Sequence, residues 1–187
     1  MSKAPSDCVA VESGGRSFVF YIDKDGLISV LRGPDSGAEV QGDGANYGAI
    51  FVKIDDKFIA THDNFQIMAA VAYEDNNGDR QAGFFCFSAL MFCTIRLYYV
   101  NKRKVLEEIC RTNGQDWYRG TLGSASNQTA NTVADGSCIT ANVQRSSGQL
   151  KVFFSKKEDA PRMSCAYVDL GKKNWSTRII TPDDIAW

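Results

Sequence analysis

A strand–turn–strand pattern occurs three times in this chain of 187 residues, and it restricts the fold more than any other feature. In the first copy, two short apolar runs at residues 17–21 (SFVFY) and 27–31 (LISVL) flank a polar turn at residues 23–26 (DKDG). The other two copies span residues 95–110 and 150–168. No window longer than a few turns has helical periodicity, so the sequence predicts an all-β protein.

The second and third copies carry two further elements. An apolar run precedes each hairpin, at residues 67–73 and 138–143, and a polar stretch that ends in Trp117 or Trp175 follows it. About four strands per unit, repeated along a chain, are typical of β-propeller blades. We therefore predict a single partial β-propeller domain over residues 1–187, with about three blades. The blade-like units fall at about residues 8–60, 64–124 and 127–187.

The spacing between the units is uneven. Phe18, Arg96 and Lys151 stand at equivalent positions, which gives intervals of 78 residues (18 to 96) and 55 residues (96 to 151). The longer interval contains residues 82–94 (AGFFCFSALMFCT), whose composition differs from the rest of the chain and where the pattern needs only a turn. We expect residues 82–94 to be a loop insertion or the translation of a retained intron.

Charge and residue usage argue against several functions. The 21 Lys and Arg and 22 Asp and Glu give a net charge of -1, which creates no field that would attract nucleic acid. The most apolar stretch, residues 82–94, is shorter than the ~20 residues that a membrane-spanning helix needs, so we expect no membrane insertion. Six cysteines without a C-x-x-C pair, and a single histidine, predict neither a metal site nor another cofactor. The start of the chain lacks an apolar signal segment, so we expect a cytoplasmic protein, or one released by a non-classical route.

Residues 95–124 (IRLYYVNKRKVLEEICRTNGQDWYRGTLGS) resemble one blade of the fungal fucose-specific lectins of the Aleuria aurantia type. The shared elements are an I-R-x-Y strand, an I-x-E-like strand and a W-x-x-G-x-L-G segment. The third unit is similar but weaker, and residues 182–187 (PDDIAW) are similar to the end of such chains. The resemblance implies a six-bladed propeller that binds L-fucose between adjacent blades and is not an enzyme. Fucosylated glycans and glycoproteins are the implied partners.

In such lectins one blade supplies an arginine and a glutamate, and the next supplies a tryptophan. Transferred by position, the resemblance implies a fucose site made of Arg96, Glu108 and Trp175. The chemistry is suitable, because a guanidinium donates, a carboxylate accepts, and the pair can read one hydroxyl from both sides. An indole provides a flat apolar wall for the methyl group and C–H face of a deoxy sugar.

The corresponding positions of the other units are changed. In the first unit Phe18 and Val30 replace the arginine and the glutamate, so Trp117 would face a degenerate pocket without a polar clamp. In the third unit Lys151 stands at the arginine position and Cys165 at about the glutamate position. We therefore expect one competent site and degenerate sites at Trp117 and Lys151.

Other interpretations of the same residues are open. Arg96 and Glu108 could be an edge-strand charge and its salt-bridge partner, and Trp117 could serve only in packing. The chain could bind a different small molecule, as a pericyclase-like biosynthetic protein would, or be a non-functional truncated gene product. Three blades are half of six, so two copies form a homodimer that completes the ring, or an N-terminal half is missing, or the chain forms a strained partial ring.

Overall fold

The computed structural model describes residues 4–34, 47–75, 92–124 and 131–182. These residues form three four-stranded antiparallel sheets and one short hairpin. The first sheet contains β1 (Cys8–Ser13), β2 (Arg16–Ile22), β3 (Ile28–Arg32) and β4 (Gly48–Phe51), and the hairpin contains β5 (Lys53–Ile54) and β6 (Lys57–Phe58). The second sheet contains β7 (Met68–Asp75), β8 (Phe92–Val100), β9 (Leu106–Thr112) and β10 (Tyr118–Arg119). The third contains β11 (Thr140–Gln144), β12 (Gln149–Phe154), β13 (Ser164–Asp169) and β14 (Ser176–Ile179), with a 3-10 turn at Arg145–Ser147.

The strands of each sheet follow one another in chain order, so each sheet is a simple up-and-down meander. The first strands of the three sheets lie side by side, because β7 contacts both β1 and β11. The all-β class and the repeated four-stranded units expected from the sequence are confirmed. In the described residues, no helix is long and apolar enough to cross a membrane.

The expected insertion at residues 82–94 overlaps a strand. β8 begins at Phe92, and its first residues pair with the end of β7 through Asp75–Phe92, Glu74–Cys93 and Tyr73–Thr94. Residues 92–94 are therefore part of the second sheet. Residues 82–91 lie outside the described residues.

Two of the three hairpins use the same turn. The Asp23 carboxylate accepts hydrogen bonds from the backbone N–H groups of residues 25 and 27, both at 2.9 Å. The Asn101 side-chain oxygen accepts the same pair from residues 103 and 105, at 2.8 and 3.1 Å. Both turns end in a left-handed residue, Gly26 at φ 75° and Lys104 at φ 62°. Such side-chain turns favour a tight reversal between two strands. Asp23 and Asn101 are therefore equivalent positions of the first and second hairpins, 78 residues apart.

Two apolar cores lie between the sheets. Alternate residues of β8 point to opposite faces, so Ile95, Leu97 and Tyr99 join the core shared with the first sheet. Tyr98 and Val100 join the core shared with the third sheet. Arg96 lies in register with this second set, which directs its side chain to the interface between the second and third sheets.

Candidate functional site

Arg96 is held in the interior of the second sheet, because β8 lies between β7 and β9. The interpretation of Arg96 as an edge-strand charge is therefore wrong. Its Nε donates to the Tyr73 hydroxyl at 2.8 Å, and its Nη1 donates to Glu108 Oε1 at 2.7 Å and lies 3.6 Å from the sulfur of Cys110. The Arg96 side chain keeps 18% of its surface exposed. The guanidinium is thus anchored at two nitrogens and still reaches the surface.

Glu108 is fully engaged within the protein. Its Oε1 accepts from Arg96 and from the Tyr98 hydroxyl at 3.3 Å, and its Oε2 accepts from the backbone N–H groups of Thr121 and Leu122 at 2.9 and 3.3 Å. The side chain is 0% exposed. An ionised carboxylate has about four acceptor positions, and four donors occupy them here. Direct reading of a sugar hydroxyl by Glu108, as the sequence suggests, therefore does not match this geometry.

The glycines of the W-x-x-G-x-L-G segment allow this arrangement. A Cβ on Gly120 would lie 2.0 Å from Glu108 Oε2, so no other residue fits there while the carboxylate keeps its place. Gly123 has a φ of 81°, and a Cβ there would lie 2.7 Å from the backbone oxygen of Leu106. The segment thus wraps closely over β9, and its N–H groups point at the carboxylate.

Trp175 reaches the same cluster from the third sheet. It immediately precedes β14, and its Nε1 donates to the Thr121 hydroxyl at 3.1 Å. Its ring meets the Tyr98 ring edge to face, with centroids 6.2 Å apart and an interplanar angle of 81°. Thr121 and Tyr98 both also hydrogen-bond Glu108. The structure thus brings Arg96, Glu108 and Trp175 into one connected network across two sheets.

Charge in the cluster is concentrated on one ion pair. Burial lowers the pKa of Arg96, but Glu108 and its other neighbours raise it, and the net pKa lies above the usual value. Burial raises the pKa of Tyr73 to about 12, against an opposing effect of Arg96. Burial, with Glu108 next, raises the pKa of Tyr98 well above its usual value and also raises that of Cys110. The phenols and the thiol therefore stay protonated around an arginine that stays charged.

Trp117 occupies the corresponding position one sheet earlier. It is 8% exposed and meets Phe20 edge to face, at 5.6 Å and 81°, much as Trp175 meets Tyr98. The pairing Phe20–Val30 matches the pairing Tyr98–Glu108, so apolar Val30 stands where Glu108 stands in the next sheet. Trp117 is part of the core between the first and second sheets.

Lys151 lies in β12 of the third sheet, away from Trp117. It pairs with Tyr167, and its Nζ donates to the side-chain oxygen of Gln144. The pairing Phe153–Cys165 puts Cys165 at the place that Glu108 has in the second sheet. Trp117 and Lys151 therefore belong to different interfaces.

Tyr73, Tyr98 and Thr121 are members of the cluster that sequence reasoning did not identify. Tyr98 lies within the I-R-x-Y motif and Thr121 within W-x-x-G-x-L-G, so their positions carried a local signal. Tyr73 comes from β7 and is linked to Arg96 only by the fold. A cavity of about 400 Å³ borders Glu108 beside the segment from Gly120 to Ser124. Its lining among the described residues includes neither Arg96 nor Trp175.

Comparison with known proteins supports the fold. A scan against models of protein families finds no match, and a search of curated protein sequences finds none. Among solved structures, a triple arginine-to-alanine mutant of AofleA from Arthrobotrys oligospora is similar, with a TM-score of 0.58 and 18% identity over 95% of this chain and 41% of that one. The fucose-specific lectin from Aleuria aurantia is similar with a TM-score of 0.57 and 18% identity, over 88% of this chain and 44% of that one.

A fucose lectin from Kordia zhangzhouensis, solved in complex with methyl-fucoside, is also similar. Its TM-score is 0.53 at 16% identity, and the match covers 94% of this chain and 100% of that one. This chain thus spans less than half of the AofleA and Aleuria lectin chains but matches the Kordia chain over its whole length. The partial β-propeller of about three four-stranded blades is confirmed, and so is the resemblance to fucose lectins at the level of the fold.

Proposed function

We propose that this chain is a non-catalytic carbohydrate-binding protein that recognises L-fucose in glycans through Arg96, Glu108 and Trp175. The observation that carries the proposal is the link of Trp175, from the third sheet, through Thr121 and Tyr98 to the Arg96–Glu108 pair of the second. An arginine, a carboxylate and an indole at one inter-sheet seam supply the donor, its orienting partner and the apolar wall that a deoxy sugar needs. The similarity of the fold to fucose lectins adds support.

Arg96 is the group that contacts the sugar in this proposal. Its Nε and Nη1 are engaged with Tyr73 and Glu108, whereas its Nη2 has no hydrogen-bond partner among the described residues. A guanidinium fixed at two nitrogens loses little further entropy when the third donates to a sugar hydroxyl. Trp175 is half-buried, and in this proposal the exposed part of its side chain contacts the methyl and C–H face of the sugar.

Glu108 is a positioning residue in this proposal. Its four donors fix the carboxylate, and the carboxylate in turn fixes the Arg96 fork. The pair is worth more as an orienting device than as a source of stability, because burying two charges costs nearly as much as their attraction returns.

Calorimetric titration with methyl α-L-fucoside tests the function. We expect wild-type protein to bind and Arg96→Lys to bind about 10- to 100-fold more weakly, since lysine keeps the charge but loses the planar fork. Trp175→Phe should weaken binding while leaving the Arg96–Glu108 pair intact. The matched control is Arg145→Lys, because Arg145 is exposed on the turn before β12. This variant should bind the fucoside as tightly as wild-type protein does. A wild-type protein that binds no fucoside would refute the proposal.

We infer in addition that two copies associate to complete six blades. The described residues of one chain form three four-stranded sheets, and an apolar core lies between each sheet and the next. Apolar side chains remain exposed at the first sheet and its adjoining hairpin, with Phe51 at 56% and Phe58 at 46%. A single sugar site binds weakly, and two sites on one ring would increase the avidity for clustered glycans.

A further inference from the structure

A second cleft opens between the first and second sheets. It has a volume of about 370 Å³ and is lined by the apolar side chains of Phe18 and Ile95 and by three arginines, Arg16, Arg32 and Arg111. Phe18 stands where Arg96 stands in the next interface, so this cleft adjoins the position expected to be a degenerate sugar pocket without a polar clamp. The structure differs from that expectation, because Arg16 of β2, Arg32 of β3 and Arg111 of β9 line the cleft.

Arg32 brings a buried donor without an acceptor. It ends β3 and pairs across the sheet with Phe18. Its Nε is buried and has no hydrogen-bond partner among the described residues. A buried, unsatisfied polar atom costs about 1–3 kcal/mol, and more when its group is charged. The Nε itself is closed to solvent, but Arg32 as a residue is only partly buried and lines the cleft, so its other N–H groups can donate to a ligand there.

Arg111 provides the second guanidinium from β9. Its Nε donates to the Gln115 backbone oxygen at 2.8 Å and its Nη2 to the Gly114 backbone oxygen at 3.0 Å. The guanidinium lies 6.0 Å from the ring centre of Phe18 and 5.8 Å from that of Trp117. Two backbone carbonyls and two rings thus hold Arg111 in place without a carboxylate.

The two guanidiniums repel each other across the cleft. Burial lowers the pKa of Arg111, and the nearby charge of Arg32 lowers it further, while Asp116 opposes both. Asp116 is exposed and is not among the described lining residues, so its charge is largely screened. Among the described residues, no carboxylate forms an ion pair with Arg32 or Arg111, so these two guanidiniums give their part of the lining a positive charge.

We propose that this cleft binds a small organic oxyanion, namely an acidic saccharide whose carboxylate or sulfate lies between Arg32 and Arg111. An oxyanion would accept from the accessible N–H groups of Arg32 and Arg111, because guanidinium forks bind carboxylate and sulfate groups well. The volume accommodates a sugar-sized body, and Ile95 adds apolar lining beside the arginines. This site is separate from the one at Arg96, and it does not depend on fucose binding.

Titration with glucuronate, N-acetylneuraminate and glucose 6-sulfate tests this site, with glucose as the neutral control and inorganic sulfate as the bare anion. We expect at least one acidic sugar to bind more tightly than glucose and inorganic sulfate, and the affinity to fall as salt is added. Arg32→Gln should weaken that binding about 10- to 100-fold. Arg145→Gln, which removes an exposed arginine elsewhere, should not change it. Binding of methyl α-L-fucoside should be the same in both variants.

The thermal unfolding midpoint without ligand distinguishes a binding role from a structural one. Because the buried Nε of Arg32 has no hydrogen-bond partner among the described residues, Arg32→Gln should unfold at the same temperature as wild type or higher. A lower midpoint would show that Arg32 stabilises the fold, and would overturn the proposal. It would also be overturned if no acidic sugar bound wild-type protein, if inorganic sulfate bound equally well, or if Arg32→Gln bound as tightly as wild type.

Discussion

Gly120 decides how the carboxylate of Glu108 can lie. The loop that contains Gly120 approaches β9 so closely that its backbone covers the carboxylate, and the next two N–H groups donate to it. A side chain at residue 120 would occupy the space of the carboxylate itself. The glycine of the W-x-x-G segment is therefore a condition for the buried ion pair, and through it for the position of Arg96.

We predict that Gly120→Ala destabilises the protein by about 2 to 4 kcal/mol, because the new methyl group displaces a buried, fully bonded carboxylate. Chemical denaturation followed by tryptophan fluorescence measures the change. Gly48→Ala is the matched control, because a Cβ there meets no atom within 4 Å, and it should change stability by less than about 0.5 kcal/mol. Equal stability of the two variants would show that Glu108 is not held as described.

At the scale of the elements, β8 contributes side chains to both apolar cores. One face of the strand completes the core with the first sheet, and the other carries Arg96 and Tyr98 toward the third. Tyr98 and Tyr99 are adjacent in this strand, and their hydroxyls reach Glu108 and Glu107 on opposite faces, at 3.3 and 2.6 Å. Tyr73 adds a third buried hydroxyl from β7.

These phenols predict a loss of stability at high pH. Burial raises the pKa of Tyr73 from 10.0 to about 12, and burial together with the neighbouring glutamates also raises the pKa values of Tyr98 and Tyr99. Above pH 10 the unfolded chain releases these protons while the folded protein keeps them. The stabilisation is therefore complete below about pH 10 and is lost as the pH rises through 12.

Thermal unfolding between pH 9 and 12 measures this effect, with tyrosinate absorbance as an independent readout. Each such phenol should remove up to about 1.4 kcal/mol per pH unit in that range. Tyr98→Phe should make the decline shallower. Tyrosinate absorbance that rises fully before the protein unfolds would contradict the prediction.

The strands and turns could be predicted from the sequence where the pattern that indicates them lies within a few neighbouring residues. Period-two alternation and the turns at Asp23 and Asn101 indicate the hairpins, and Arg96 and Glu108 lie on neighbouring strands of one hairpin. Trp175 could be assigned because the repeat relates the third unit to the second. Tyr73 and the Arg32–Arg111 cleft could not, because their residues come from strands that only folding brings together.

On the scale of the whole molecule, the described residues form three successive sheets, and the two interfaces between them differ in chemistry. Each interface between sheets has a tryptophan against an aromatic ring of the preceding sheet, Trp117 on Phe20 and Trp175 on Tyr98. The interface between the second and third sheets holds an arginine–glutamate pair. At the equivalent positions, the interface between the first and second sheets has apolar residues, with a separate basic cleft nearby. One architecture thus holds two chemically different groups of side chains.

If two copies complete a ring, the solution mass should be about twice the 20.6 kDa of one chain. Sedimentation equilibrium measures this mass directly. Phe51→Lys, at an exposed apolar position of the first sheet, should shift the equilibrium toward the monomer without unfolding it. A wild-type protein that is folded and monomeric at all concentrations would contradict the expected association.

The indole N–H resonances of the tryptophans test the central claim most directly, since the two described tryptophans stand at the two different interfaces. Two-dimensional NMR of ¹⁵N-labelled protein, assigned with Trp117→Phe and Trp175→Phe, follows them during addition of methyl α-L-fucoside. A sugar that binds beside Arg96 should shift the Trp175 signal, whose Nε1 lies 3.1 Å from Thr121 Oγ1, and leave the Trp117 signal in place. A saturating fucoside that shifts neither signal, or only that of Trp117, would contradict a sugar site between the second and third sheets.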